Sequence, residues 1–153
     1  MTRVQAMMGD WLRHRAVLPD ILGRVDAEKV DFAPWEGALT LGKLAVHMVT
    51  STHFFLTAIQ TGEFTRAESP AFTTMDDVKR IVQEYTDASK KVYESLTDDQ
   101  LNEILDASFM GMKAPKLAFL SAMKDHEVHH KGQMFVYARM AGATEMPFFI
   151  SRG

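Results

Sequence analysis

The sequence predicts an all-α protein, an up-and-down four-helix bundle, and three observations carry that expectation. Four long segments place apolar residues at the three-and-four spacing of a helix, and no segment of comparable length alternates at period two. The chain has 153 residues, close to the roughly 150 of an average domain, so residues 1–153 are expected to form a single domain. A composition of 46% hydrophobic and 24% charged residues supplies enough apolar side chain for a core.

In the first segment Val4, Met8, Trp11, Leu18, Leu22 and Val25 form one stripe, and Pro19 is expected to kink or split the helix by removing a backbone donor. Asp31 to Leu39, DFAPWEGAL, has the Pro and Gly of a connecting loop, with Trp35 expected as a buried loop anchor or at a pocket mouth. The second helix is expected from an N-cap at Thr40 to about Thr61, with Gly62 as its stop. Its apolar face is Leu41, Leu44, Met48, Thr52, Phe55 and Ile59, and His47 lies at the margin of that face. The third runs from about Thr74 to Leu96, with Asp76 and Asp77 in the first turn, where the helix dipole favours negative charge. Thr97 and Gln100 have capping-box spacing, which predicts a short further helix over Thr97 to Leu105. The fourth helix is expected to start at Pro115 and end before Gly142, long enough to run the height of a bundle.

Charge and composition exclude several classes. Seventeen basic against 20 acidic residues give a net charge of −3, with the signs interspersed, which argues against a nucleic-acid partner. No segment approaches the roughly 18 to 20 uninterrupted apolar residues of a membrane span. The N-terminal MTRVQAMMGDWLRHR lacks an apolar signal core, so a cytoplasmic location is expected. The absence of cysteine removes disulfides, catalytic thiols and thiolate-bearing zinc sites, leaving imidazole and carboxylate as metal donors. The 11 methionines are scattered along helix faces, as expected of core packing rather than a copper site. Phe148 and Phe149 are expected to cover the bundle or a dimer partner.

Three of the six histidines fall within the fourth helix, at His126, His129 and His130. Taking about 100° per residue from His126, Phe119, Met123, Met134, Tyr137 and Met140 fall between about −40° and 80°, and His130 joins His126 within that apolar arc. Lys124, Glu127, Lys131 and Arg139 fall on the opposite, polar side, at about 100° to 220°. An imidazole on a buried face must find partners or lose on the order of 1–3 kcal/mol. Nitrogens at i and i+4 project from one face and can share an ion. A third ligand must come from another element, for which His47 is the best placed, ahead of His14 and His53; His129 remains eligible by spacing. Hydrogen bonding to Tyr137, Ser51 and water is the metal-free alternative. The letters HEVHH also satisfy HExxH, with Glu127 as a would-be general base, but the downstream chain holds only Glu145 as a third ligand and leaves no room for a peptide-binding subdomain.

Three pieces of the chain, LTLGKLAVHMVTSTHFFLTAI, HEVHHKGQ and YARMAGATEMP, resemble the DinB/YfiT-like family of small metal-binding four-helix bundles. The second is similar to that family's HxxxHRGQ, with Lys131 where Arg is usual. The resemblance implies a metal triad of His47, His126 and His130, excluding His129, and a divalent ion, zinc or nickel. It further implies a homodimer formed by helix packing and thiol-dependent transferase or isomerase chemistry. The expected function is a divalent-metal-dependent enzyme acting on a small molecule, of the S-transferase, isomerase or hydrolase type. A low-molecular-weight thiol would serve as cosubstrate, and Gln133 would orient a ligand or the substrate. The alternative is a non-enzymatic metal-binding or stress-response protein whose ion is structural.

Overall fold

The computed structural model describes residues 1–153. Helices α1 (Arg3–Arg15), α2 (Val17–Gly23), α3 (Leu41–Thr61), α4 (Met75–Ser95) and α5 (Lys116–Met140) make up most of the chain. Strands β1 (Ile104–Ala107) and β2 (Met112–Pro115) form a small antiparallel hairpin before α5, with Leu105 opposite Ala114 and Ala107 opposite Met112. The protein is therefore mostly helical with a two-stranded sheet, not strictly all-α.

Local chemistry explains the boundaries. Thr2 and Thr74 each accept a hydrogen bond from the N3 backbone N–H, and the Gln5 and Asp77 side chains accept one from the cap backbone N–H, giving two capping boxes. Thr40 accepts from the Lys43 N–H, and Gly62 closes α3 at φ 84°, a left-handed conformation that a Cβ disfavours. The first segment splits as expected, at Ala16. Pro19 then lies in the first turn of α2, where its missing N–H has no helical partner to lose.

The expected helix over Thr97 to Leu105 is corrected. Thr97 and Gln100 do cap each other, but the helix is a single 3-10 turn, Asp99–Asn102, and the chain then extends into β1. Its four residues alternate exposed and buried, with Leu105 and Ala107 turned inward. Gly111, at φ 78°, permits the tight turn into β2. Trp35 is corrected as well: it is 66% exposed and is not a buried anchor.

The apolar core forms two clusters. One gathers α2 with the start of α3, the start of α4 and the end of α5; the other gathers α1 with the remaining ends of those helices and the hairpin. On α3, α4 and α5 buried polar residues fall in the interval between the clusters: Thr52, Ser89, and Glu127 with Lys131. Arg15, between the cluster residues of α1 and α2, completes this middle layer. No helix is long and apolar enough to cross a membrane.

Candidate metal centre

His47 on α3 and His126 and His130 on α5 converge. Their ligand-capable nitrogens all lie within 4.8 Å of one another, and the ring centroids are 4.3 to 5.2 Å apart. Spacing four apart on α5 stacks His126 over His130, with their Nε2 atoms 3.0 Å apart. Two neighbours fix the outer nitrogens. Gln133 Oε1 lies 2.7 Å from His130 Nδ1, and Ser51 Oγ lies 3.3 Å from His47 Nδ1. With Gln133 Oε1 accepting, His130 Nδ1 carries the proton and its Nε2 keeps a lone pair directed at the other rings.

All three rings are partly buried. Burial lowers the pKa of His47, with the nearby His130 adding to the effect, and burial with the neighbouring His130 and His47 drives His126 down to about 4. His47 and His126 are thus held neutral near pH 7, the form that donates to a metal. The cluster fits a divalent ion on these grounds: three imidazole nitrogens converge on one point, and the Gln133 acceptor leaves the His130 Nε2 lone pair facing the other two rings.

The other three histidines lie outside this group, although the His129 ring is 4.8 Å from that of His130. His129 is exposed and within 3.4 Å of Gln133 Nε2, so Gln133 bridges it to His130. His53 pairs with Ser89 Oγ at 3.2 Å and meets Tyr85 edge-on. His14 Nδ1 accepts from Lys131 Nζ at 2.8 Å, and burial followed by the Lys131 charge lowers its pKa.

Glu127 and Lys131 correct the helical-wheel expectation. Both were expected on the polar face, yet both are buried. The buried residues of α5 span about 20° to 140° from His126, an arc turned by about 60° from the expected one, which places the histidines at its margin. Glu127 is admitted by its partners: Arg15 Nη2 and Nε donate to its carboxylate at 2.5 to 3.1 Å, and Trp11 Nε1 at 3.2 Å. Arg15 also donates to Thr86, Thr52 and the Met48 carbonyl, linking α1, α3, α4 and α5. Glu127 is therefore committed away from the histidines and unavailable as the general base of an HExxH protease. Lys131 donates to His14 and to the Phe149 carbonyl, tying the C-terminal segment to α5 rather than contacting an anion. Phe148 and Phe149 remain about half exposed and meet at a tilt of 50°.

Three cavities meet at His47. One, about 330 Å³, lies between α3, α5 and the hairpin turn and is lined by Phe55, Met110, Met112, Phe119, Met123 and His126 among others. The second, about 390 Å³, opens toward α4 and the segment after α3, with Arg66, Glu68, Thr57, Thr65 and Tyr85 on its walls. The third, also about 390 Å³, is lined by Leu39, Lys43, Val46 and Phe72 among others.

A mostly helical bundle with one histidine on α3 and an i, i+4 pair on α5 defines a class of small histidine-cluster proteins. The DinB family model matches residues 1–152, and the chain belongs to the DinB family. It is 30% identical over 153 residues, 99% of each chain, to the uncharacterized protein YjoA of Bacillus subtilis (strain 168). The crystal structure of that DinB-like protein superposes with a TM-score of 0.83, covering 97% of this chain and 99% of the other. A DinB-like protein from Bacillus cereus ATCC 10987 gives a TM-score of 0.79 at 26% identity, covering 94% and 95%.

Proposed function

We propose that this protein binds one divalent ion, zinc or nickel, through His47, His126 and His130 and acts as a metal-dependent enzyme on a small molecule. The observation that carries the reading is the convergence of three imidazoles from two helices onto one point. Bound there, the ion would act as a Lewis acid and lower the pKa of a coordinated water or thiol. Three imidazole donors with no carboxylate in the group match the donor count of catalytic rather than structural zinc. Ser51 and Gln133 hold the outer nitrogens of His47 and His130, fixing ring orientation before any ligand arrives.

An ion that served only to join helices would duplicate the Arg15–Glu127 network, which already links four of them. This favours chemistry over a purely structural ion. With no cysteine in the chain, a thiol participating in S-transfer, isomerase or hydrolase chemistry must arrive as a small-molecule cosubstrate. A thiol-transfer screen of the metal-loaded protein across low-molecular-weight thiols tests the reading. Turnover lost on chelation supports it, and a closed, water-free coordination shell in the absorption spectrum of the cobalt-substituted protein contradicts it.

We propose further that two copies pair along the outer face of α5. Val128, Val136 and Met140 are 40%, 54% and 55% exposed there at four-residue spacing, with Gly132 between them. Sedimentation should report a dimer that Val136→Lys converts to monomer, and a monomeric parent protein would contradict the pairing.

A further inference from the structure

We infer that the cavity between α3, α5 and the hairpin turn is the binding site for the apolar body of an uncharged organic substrate whose polar head lies at the histidine cluster. The position of the head rests on the metal reading above; the apolar body rests on the cavity itself.

The cavity's chemistry selects its occupant. Phe55, Phe119, Met112 and Met123 form its walls, and no charged side chain lines it. Its hydroxyls are already paired: Thr52 Oγ1 accepts from Arg15 and donates to the Met48 carbonyl, and Ser51 Oγ is engaged with His47. The polar atoms left to meet a ligand are the ring nitrogens of His47 and His126, at one end. A ligand polar along its length would lose its water there without replacement, whereas an apolar body would lose nothing. The volume of about 330 Å³ exceeds the roughly 150 Å³ of apolar cavity that holds benzene, so a substituted ring or comparable alkyl group fits.

The walls are braced before a ligand arrives. Phe64, just after α3, packs its ring 5.9 Å from Phe55, 6.5 Å from Phe119 and 5.0 Å from Phe109 at the hairpin tip. That cluster ties the hairpin, absent from a plain four-helix bundle, to both histidine-bearing helices. Met110 and Met112 then present flexible thioether side chains from the hairpin, which suits a range of apolar shapes. The cavity on the other side of His47 carries Arg66 and Glu68, so the two sides of the cluster accept different chemistry.

The test compares acetohydroxamate with benzohydroxamate, which share a metal-binding head and differ in apolar body, by calorimetric titration of the zinc-loaded protein. Benzohydroxamate should bind about 10- to 100-fold tighter, from the apolar area of one ring removed from water. Ala122→Phe, on α5 one turn before His126, places a ring into the cavity from its exposed rim, and Met112→Gln makes the opposite wall polar. Each should bring the ratio of the two affinities to within about threefold. A ratio near one in the parent protein, or one unchanged in both variants, overturns the inference. If neither hydroxamate binds, the metal reading fails and the cavity is decided separately. Indole added to metal-free protein should then shift the methyl resonances of Met112 and Met123 in the parent and not in Ala122→Phe, and the absence of any shift in the parent overturns the proposal.

Discussion

On the inward side of α5, Glu127 has every oxygen occupied by Arg15 and Trp11 and is sealed from water, and the charges that hold it come from another helix. On the adjoining side, His126 and His130 face each other and His47 with like groups, Nε2 toward Nε2, beside open cavities. Both sets are polar groups in or at the edge of a core, and their α5 members share the five residues from His126 to His130. The difference teaches how to read buried polarity: a network of fixed donors and acceptors is complete by itself, whereas imidazoles that pair only with one another can exchange that contact for a shared ion. The closed network belongs to stability, and the histidine cluster is where the proposed metal site lies.

The sharpest way to break that contrast is Glu127→Gln. It leaves the buried Arg15 charge without its counterion, and metal-free protein should lose about 3–5 kcal/mol in denaturant unfolding. A double change, Arg15→Met with Glu127→Leu, should recover most of that loss. If Glu127→Gln unfolds like the parent protein, the network is not what holds the four helices at mid-height.

The histidine side should behave in the opposite way. His126→Ala should change metal-free stability by under about 1 kcal/mol, while zinc at a hundredfold excess over its dissociation constant should stabilise the parent by about 2.7 kcal/mol and the variant not at all. A variant still stabilised by zinc would place the ion elsewhere.

Acid sharpens the comparison further. His126 has a folded pKa of about 4 against 6.5 unfolded, so between those values the unfolded chain binds more protons and the folded state is weakened as pH falls. Stability is present in full above about pH 6.5 and declines toward pH 4. Because the ring is only half buried, screening reduces the change to about 1–2 kcal/mol. His126→Ala should flatten this part of the metal-free profile, and an unchanged slope would contradict the assignment. The smallest effect belongs to Gln133→Leu, which removes the acceptor at His130 Nδ1 and should weaken zinc about 10-fold with little change in metal-free stability.

How much of this was legible in the sequence depends on the range of the physics involved. Helix α3 could be read to within a residue because its ends are set locally, by Thr40 and by Gly62. The His126 and His130 spacing fixes them on one face and His47 lies at a core margin, and the resemblance to the DinB/YfiT-like family joins the three and sets His129 aside. Glu127 and Lys131 were misplaced because their burial depends on Arg15, Trp11, His14 and the Phe149 carbonyl, more than 100 or, for Phe149, 18 residues away. A helical wheel sends a charge to water when its partner is unseen. The hairpin was hidden for a different reason: four-residue strands are too short to show period two, and the capping pair before them points toward a helix. Arg15 was the available signal for the missed network, since it interrupts the apolar run between Trp11 and Leu18 on an otherwise inward stripe.

The most direct test of the open histidine cluster is the metal content of protein purified without chelator, measured by elemental mass spectrometry beside His126→Ala. The structure predicts about one divalent ion per chain in the parent and essentially none in the variant. A parent protein that carries no metal and takes up neither zinc nor nickel on dialysis, or a variant that retains the ion, would contradict it.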